Sequence, residues 1–327
     1  MATKPFPILF IAAMDVEGAV ASSGLIKRLI DEVPNARFTI VAGPASASLY
    51  ADVPGLDEII IAEKTTGKLY LFGLWRRLHR LKWGLIVDTR ASGLTDGLIR
   101  KRRAVHTPRP GEIVHPVIEA ARLLDLETDP PPPFLFASPE TEFNAAQQVP
   151  VDDRPILVIA PGATWGGRVW PVERFCQTAA RLLAPEGPMA GGRLVVMGDH
   201  ENEEALEATR FSITRQYLTG RPGMLSLLGD YAVLKRARLF IGNDGPWTQL
   251  AAAAGAPTLA LFGPSDERTA APWGAHARVV RGPRSFAVFQ ALDPSFNQAI
   301  GHMMDLPIET VLEAAHKLLA ETEPAHA

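Results

Sequence analysis

The stretch "FIGNDGPWTQLAAAAGAPTLALFGPSDE", Phe240 to Glu267, decides the fold. An apolar run enters an Asn-Asp-Gly-Pro turn, a helix of small residues follows, and a second apolar run ends at Gly-Pro. Pro246 suits a first helical position, because the amide it lacks would have no helical partner there. Gly255 suits the residue just past the helix end. Two short buried strands joined by a helix make a unit of parallel sheet. Ala251–Ala254 let that helix lie close to the sheet.

Working outward, the same alternation fills both halves of the chain. "PILFIAAM", "ARFTIVAG", "LDEIIIAE" and "WGLIVDTR" read as strands in the first half. "AVASSGLIKRLIDEVP", "GKLYLFGLWRRLHRL" and "GEIVHPVIEAARLLDL" read as helices. The pattern breaks at "ETDPPPPFLFASPETEFNAAQQVPVDDRP", where four consecutive prolines exclude a long helix. This segment, about 128–153, is expected to be an interdomain linker holding at most one short strand, "FLFAS". Alternation restarts with strands at "PILVIAPGA", "GRLVVMGD", "RLFIGNDG", "PTLALFG" and "ARVVRG". Helices are expected at "WPVERFCQTAARLLAPEG", "ENEEALEATRF", "MLSLLGDYAVLKRA", "PWTQLAAAAG" and "PIETVLEAAHKLLAE". The expected fold class is α/β, with two doubly wound Rossmann-like domains at 1–150 and 151–327.

Composition narrows the function classes. The 327 residues carry a net charge of −3, which gives no electrostatic case for nucleic acid. The single cysteine, Cys176, excludes an internal disulfide and a cysteine-built zinc site, and fits a reducing compartment. The apolar run Pro7–Met14 stops at Asp15 and Glu17 without a small-x-small cleavage pattern, so it reads as a first strand rather than a leader. No segment reaches the roughly 18 uncharged apolar residues of a membrane span.

In open α/β sheets, ligands bind beyond the carboxyl ends of strands. Three loops there are bare enough for an anion. In "APGATWGGRVWP", Gly162, Ala163 and Thr164 expose backbone amides, and Arg168 either clamps a phosphate or is a solvated Arg of an ordinary turn. In "MGDHENEE", Glu201 either accepts ribose hydroxyls or favours a helix start through its dipole. In the opening stretch, Asp244 reads as an N-cap, and the capped helix start at Gly245 is itself an anion site. Gly263 and Ser265 of "LFGPSDE" lie near the same edge.

With these loops in this order, the chain resembles glycosyltransferase family 9, the ADP-heptose:lipopolysaccharide heptosyltransferase family. The family pattern is a Pro-Gly-Ala loop, a basic residue shortly before Trp-Pro, an Asp-Thr/Ser-Gly turn, an alanine helix and Phe-Gly-Pro. It is matched by "APGATWGGRVWPVERF" and "GNDGPWTQLAAAAGAPTLALFGPSD". "SSGLIKRLIDEVPNARFTIVAG", "LIVDTRASGLTDGLIRKRRA" and the closing "GHMMDLPIETVLEAA" extend the likeness over nearly the whole chain. The resemblance implies GT-B architecture, two domains facing across a cleft, with the acceptor on the N-terminal and the nucleotide-sugar donor on the C-terminal domain. It implies inverting transfer of a sugar, such as heptose from ADP-heptose, to a lipopolysaccharide-core or other glycan acceptor. No metal or other cofactor is expected, and there is no Asp-x-Asp motif.

The implied donor residues are Thr164, Arg168, Glu201, Asp244, Gly245, Gln249 and Gly263. This chain departs from the family pattern at two polar positions. Gly18 stands where the family places its Asp, leaving Asp15 and Glu17 as candidate bases. Gln249 stands where the family has His, and Gly245-Pro246 replaces Thr-Gly. Arg76, Arg77 and Arg90 are acceptor candidates. The clusters "WRRLHRLK" and "RKRR" are either solvated helix faces or contacts for an anionic lipid-linked acceptor and the cytoplasmic face of the inner membrane. Two further readings stay open. One is a catalytically altered homologue that binds a nucleotide-sugar, glycan or protein partner. The other is a sugar-nucleotide epimerase sharing the two-domain plan.

Overall fold

The computed structural model describes residues 4–62, 68–198, 218–219, 225–297 and 300–322. It divides into two compact units, Met1–Ser138 and Pro139–Ala327. Each holds one five-stranded parallel sheet, so the α/β expectation holds.

The first unit contains β1 (Phe6–Ile11), α1 (Val16–Glu32), β2 (Ala36–Ala42), β3 (Leu56–Ile61), α2 (Lys68–Leu78), β4 (Trp83–Asp88), β5 (Arg100–Val105) and α3 (Pro116–Ala121). The strand order is β3-β2-β1-β4-β5, every pair parallel. β1 and β4 lie at the centre and read as unbroken apolar runs because both faces are covered. Leu9, Ile11, Ile86, Leu74 and Leu78 meet in one core cluster. The order reverses between β1 and β4, which puts the loops after these two strands on either side of the switch point.

The second unit contains α4 (Pro139–Gln148), β6 (Ile156–Ala160), α5 (Val172–Leu183), β7 (Arg193–Val196), α6 (Leu227–Leu234) and β8 (Leu239–Asn243). It continues with α7 (Pro246–Ala253), β9 (Thr258–Phe262), α8 (Glu267–Ala270), β10 (Ala277–Arg281), α9 (Phe286–Leu292) and α10 (Ile308–Glu321). Its order is β10-β9-β8-β6-β7, again all parallel, with the switch between β6 and β8. Trp170, fully buried beside the core, donates its indole N–H to Leu306 O at 3.0 Å. That bond ties the segment before α10 to the loop that follows β6.

Three sequence expectations need correction. The proline-rich segment is not a plain linker, and "FLFAS" is not a strand. Its first part packs on α1: Phe134 N donates to Ser23 Oγ at 2.9 Å, and Pro131 and Pro132 carbonyls face Gly24. Its second part is α4, which packs on α6. Pro139 opens that helix, where proline is tolerated, and Glu140 and Glu142 favour its first turn. "RKRR", read either as a solvated helix face or as a contact for an anionic partner, is not on a helix but begins β5. An edge strand carrying exposed Arg100, Lys101 and Arg102 lacks the apolar signature of a strand, yet its charges protect an open edge from pairing. The helix in "GEIVHPVIEAARLLDL" starts only at Pro116, behind a His115 cap. The expected helix "ENEEALEATRF" lies outside the described residues.

A side chain at residue 24 would bring Cβ to 2.5 Å from both proline carbonyl oxygens. Backbone cannot yield cheaply there. Gly24→Ala should therefore lower stability by about 1–3 kcal/mol despite alanine's better helix propensity, measured by denaturant unfolding.

Candidate functional site

In the second unit, the loops after β6 and β8 meet at the switch point. They line a small open pocket with Gly162, Ala163, Thr164, Asn243, Gly245, Pro246 and Trp247. Asp244 does not cap α7 as expected: Gly245, with an extended backbone, is the cap residue, no side chain caps the helix, and it begins with Pro246. Asp244 is 2% exposed. Its Oδ2 lies 3.3 Å from Arg168 Nη1, so the second loop's acid holds the first loop's cation. Arg168 also rides 5.8 Å from the centre of the Trp165 ring. Burial pushes the Asp244 carboxyl above its ordinary value, while Arg168, then Ser265 and Arg281, pull it back down.

Nine buried side-chain polar atoms among the described residues have no hydrogen-bond partner. Five of them belong to Trp165, Arg168, Asp244, Trp247 and Ser265. Of these, Asp244 Oδ2 keeps its ion pair with Arg168 and Ser265 interacts with Asp244, so the groups left open are the Trp165 and Trp247 indole N–H and Arg168 Nε. Arg281 shapes the third loop, donating to Gly263 O and, at 2.8 Å, to Ser265 O. Among the described residues, no group of three His, Cys, Asp or Glu side chains could hold a metal ion.

The structure thus brings Thr164, Arg168, Asp244 and Gly245 together. Gln249, one turn into α7, donates through Nε2 to Ala270 O at 2.8 Å. One N–H of that amide holds α8, leaving its second N–H and its carbonyl to reach elsewhere. Gly263 is buried beneath Met303, and a Cβ there would stand 2.4 Å from the Met303 sulfur. Packing against the closing segment accounts for that glycine. Glu201 lies outside the described residues. Asn243 and Trp247 line the cavity but carried no sequence expectation. The tripeptide Asn243-Asp244-Gly245 was the available signal, since Asn at a strand end can bond to neighbouring loops.

In the first unit, the switch point holds Asp15 and Arg90. Asp15 follows β1 and caps α1, its Oδ1 accepting from Gly18 N at 2.7 Å. A side chain at Gly18 would meet Ala13 Cβ at 2.7 Å and Asp15 Oδ1 at 3.2 Å. The folded loop has no room for an acid at 18, and the Asp15 carboxylate already borders that space. Glu17 is half-buried in the first turn of α1. Arg90 is exposed just beyond β4. Its loop is built on Asp88, a fully buried carboxylate that accepts from Arg90 N at 3.1 Å, Ser92 Oγ at 2.8 Å and Thr95 Oγ1 at 3.2 Å.

Arg76 and Arg77 do not join Arg90. They occupy the last turn of α2, next to where β4 begins, whereas Arg90 follows the end of β4. Arg77 is also ion-paired with Glu58. A helix crossing back along a parallel sheet has to deliver its last turn to the strands' amino ends, and the amphipathic pattern gave no hint of that direction.

The family model for glycosyltransferase family 9 (heptosyltransferase) matches residues 78–293. The chain belongs to glycosyltransferase family 9. The lipopolysaccharide heptosyltransferase 2 of Salmonella typhimurium is 26% identical over 175 residues, 52% of this chain and 48% of that protein. The chain therefore aligns with about half the length of this curated family member. A solved glycosyltransferase family 9 protein of Veillonella parvula superposes with a TM-score of 0.78 at 19% identity, covering 98% of this chain and 99% of that one. The E. coli ADP-heptose LPS heptosyltransferase II structure gives 0.75 at 20% identity, with 98% and 100% covered. Family 9 thus shares its GT-B fold, two parallel-sheet units, with this chain.

Asp244 supplies a pH test. A carboxyl whose folded pKa is raised binds its proton more tightly in the folded state. Its contribution to stability is full below the unfolded value and is lost as pH rises through the folded one. Between about pH 4 and 7, the thermal midpoint of the native protein should therefore fall relative to that of Asp244→Asn. Parallel midpoints across that range would show that Asp244 is not perturbed.

Proposed function

We propose that the protein is an inverting, metal-independent glycosyltransferase that moves a sugar from a nucleotide-sugar to a glycan acceptor. The carrying observation is the pocket between the loops after β6 and β8, lined by Gly162–Thr164 and the start of α7, with the Arg168–Asp244 ion pair joining the same two loops. Such a site suits the diphosphate of a nucleotide-sugar. Family membership and the likeness to an ADP-heptose enzyme support an ADP-linked heptose donor and a lipopolysaccharide-core acceptor.

In this reading, the second unit holds the donor and the first unit holds the acceptor. A carboxylate of Asp15 or Glu17 takes the proton of an acceptor hydroxyl. The hydroxyl oxygen bonds to the anomeric carbon as the bond from that carbon to the diphosphate breaks, inverting the centre. Arg168, the free amides at the start of α7 and Gln249 stabilise the departing charge, with Thr164, Gly245 and Gly263 around it and Glu201 toward the ribose. Arg90 steers an anionic acceptor.

A peripheral contact with the cytoplasmic face of the inner membrane belongs to the same reading. Among the described residues, no helix is long and apolar enough to cross a membrane. Arg76, Arg80, Lys82, Arg100, Lys101 and Arg102 are exposed and form no ion pair among the described residues. An anionic surface would attract them. A second reading, a homologue that binds without transferring, is favoured by Gly18 and Gln249 at the family's acidic and histidine positions.

Calorimetry with ADP-heptose, GDP-sugar and UDP-sugar, followed by a transfer assay, separates the two. Binding with transfer that persists in EDTA supports the enzyme, and binding without turnover supports the second reading. If none of the three binds, the donor site is wrong. Replacing Asp15 and Glu17 together by Ala should lower kcat by about 10²–10⁴-fold, and an unchanged rate would remove them as the base.

A further inference from the structure

We infer that Asn243 is a positioning residue that turns the amides of the loop after β6 toward an anionic ligand. The inference rests on the donor-site reading and adds a residue to it. Asn243 ends β8, is 2% exposed and uses every polar group it has. Its Nδ2 donates to Pro161 O at 2.7 Å and to Gly162 O at 3.4 Å. Its Oδ1 accepts from Trp170 N at 3.0 Å. Its backbone oxygen accepts from Thr248 Oγ1, in the first turn of α7, at 2.6 Å. One side chain therefore grips both ends of the loop 161–170 and is itself anchored to the helix start that faces that loop.

The consequence follows from peptide geometry. In a trans peptide, the carbonyl and the next residue's N–H point in opposite directions. Asn243 draws the Pro161 and Gly162 carbonyls toward itself, so the N–H groups of Gly162 and Ala163 point away from it. Neither N–H donates to an acceptor among the described residues. Both residues line the cavity. Two successive free N–H groups at the pocket form a cradle for a phosphate oxygen. Asparagine is the residue that can do this: aspartate would set an anionic oxygen against two carbonyls, and an aliphatic chain would leave those carbonyls and the Trp170 amide unpaired.

The test compares Asn243→Asp and Asn243→Ala with Ile241→Ala, a fully buried position in the same strand. ADP and adenosine are titrated calorimetrically, and thermal midpoints are recorded for all four proteins. A positioning role requires ADP binding to weaken by roughly 10-fold or more in both Asn243 variants while adenosine binding holds. Ile241→Ala should lower the midpoint and keep the ADP-to-adenosine ratio. The inference is overturned if both Asn243 variants keep the wild-type ratio, or if Ile241→Ala loses it equally. A wild type that prefers neither ADP nor any other nucleoside diphosphate over adenosine sinks the donor-site reading and this inference with it. A wild-type preference that survives in the Asn243 variants removes only the inference.

Discussion

The ion pair between Arg168 and Asp244 is the contact on which the candidate site depends. It joins two loops that are 76 positions apart in the sequence and adjacent only because β6 and β8 are neighbours in the sheet. Each partner solves a problem for the other. Asp244 is too deeply buried to be charged cheaply without a cation nearby, and that acid holds the Arg168 guanidinium in place. An anionic ligand would meet a cation already fixed in place.

The two units repeat one architectural solution with different residues. In each, the strand order reverses between two buried central strands, and the loops leaving those strands diverge to open a space. The first unit fills its space with Asp15, capping α1, and with the Asp88 network that supports Arg90. The second fills it with the bare loop at Gly162–Thr164 and the start of α7. The acid-rich side suits a proton acceptor and the amide-rich side suits a phosphate. The division of labour proposed for the units comes from the family resemblance, and this chemistry is compatible with it.

Much of this was legible in the sequence, and the failures have physical reasons. Buried parallel strands such as Trp83–Asp88 announce themselves because both faces must be apolar. The loop residues Thr164, Arg168, Asp244 and Gly245 could be placed together because strand ends in such sheets converge. β5 was invisible because an edge strand of Arg and Lys has no apolar period. The proline run was misjudged because its role is to pack its carbonyls against Gly24, a contact 107 positions away from Pro131 that local pattern cannot reveal. That Arg76 and Arg77 lie at the opposite end of β4 from Arg90 is not legible in the sequence, because helix direction is a property of topology. Asn243 was passed over in favour of its neighbour Asp244, since charge draws attention and a fully used amide shows only in three dimensions.

The central claim, that the loops after β6 and β8 hold a nucleotide diphosphate, is tested most directly by a crystal structure of the protein with ADP. The diphosphate is expected within hydrogen-bond distance of Arg168 and of the Gly162 and Ala163 amides, at the start of α7. A diphosphate bound elsewhere, with Arg168 still turned only to Asp244, would contradict it.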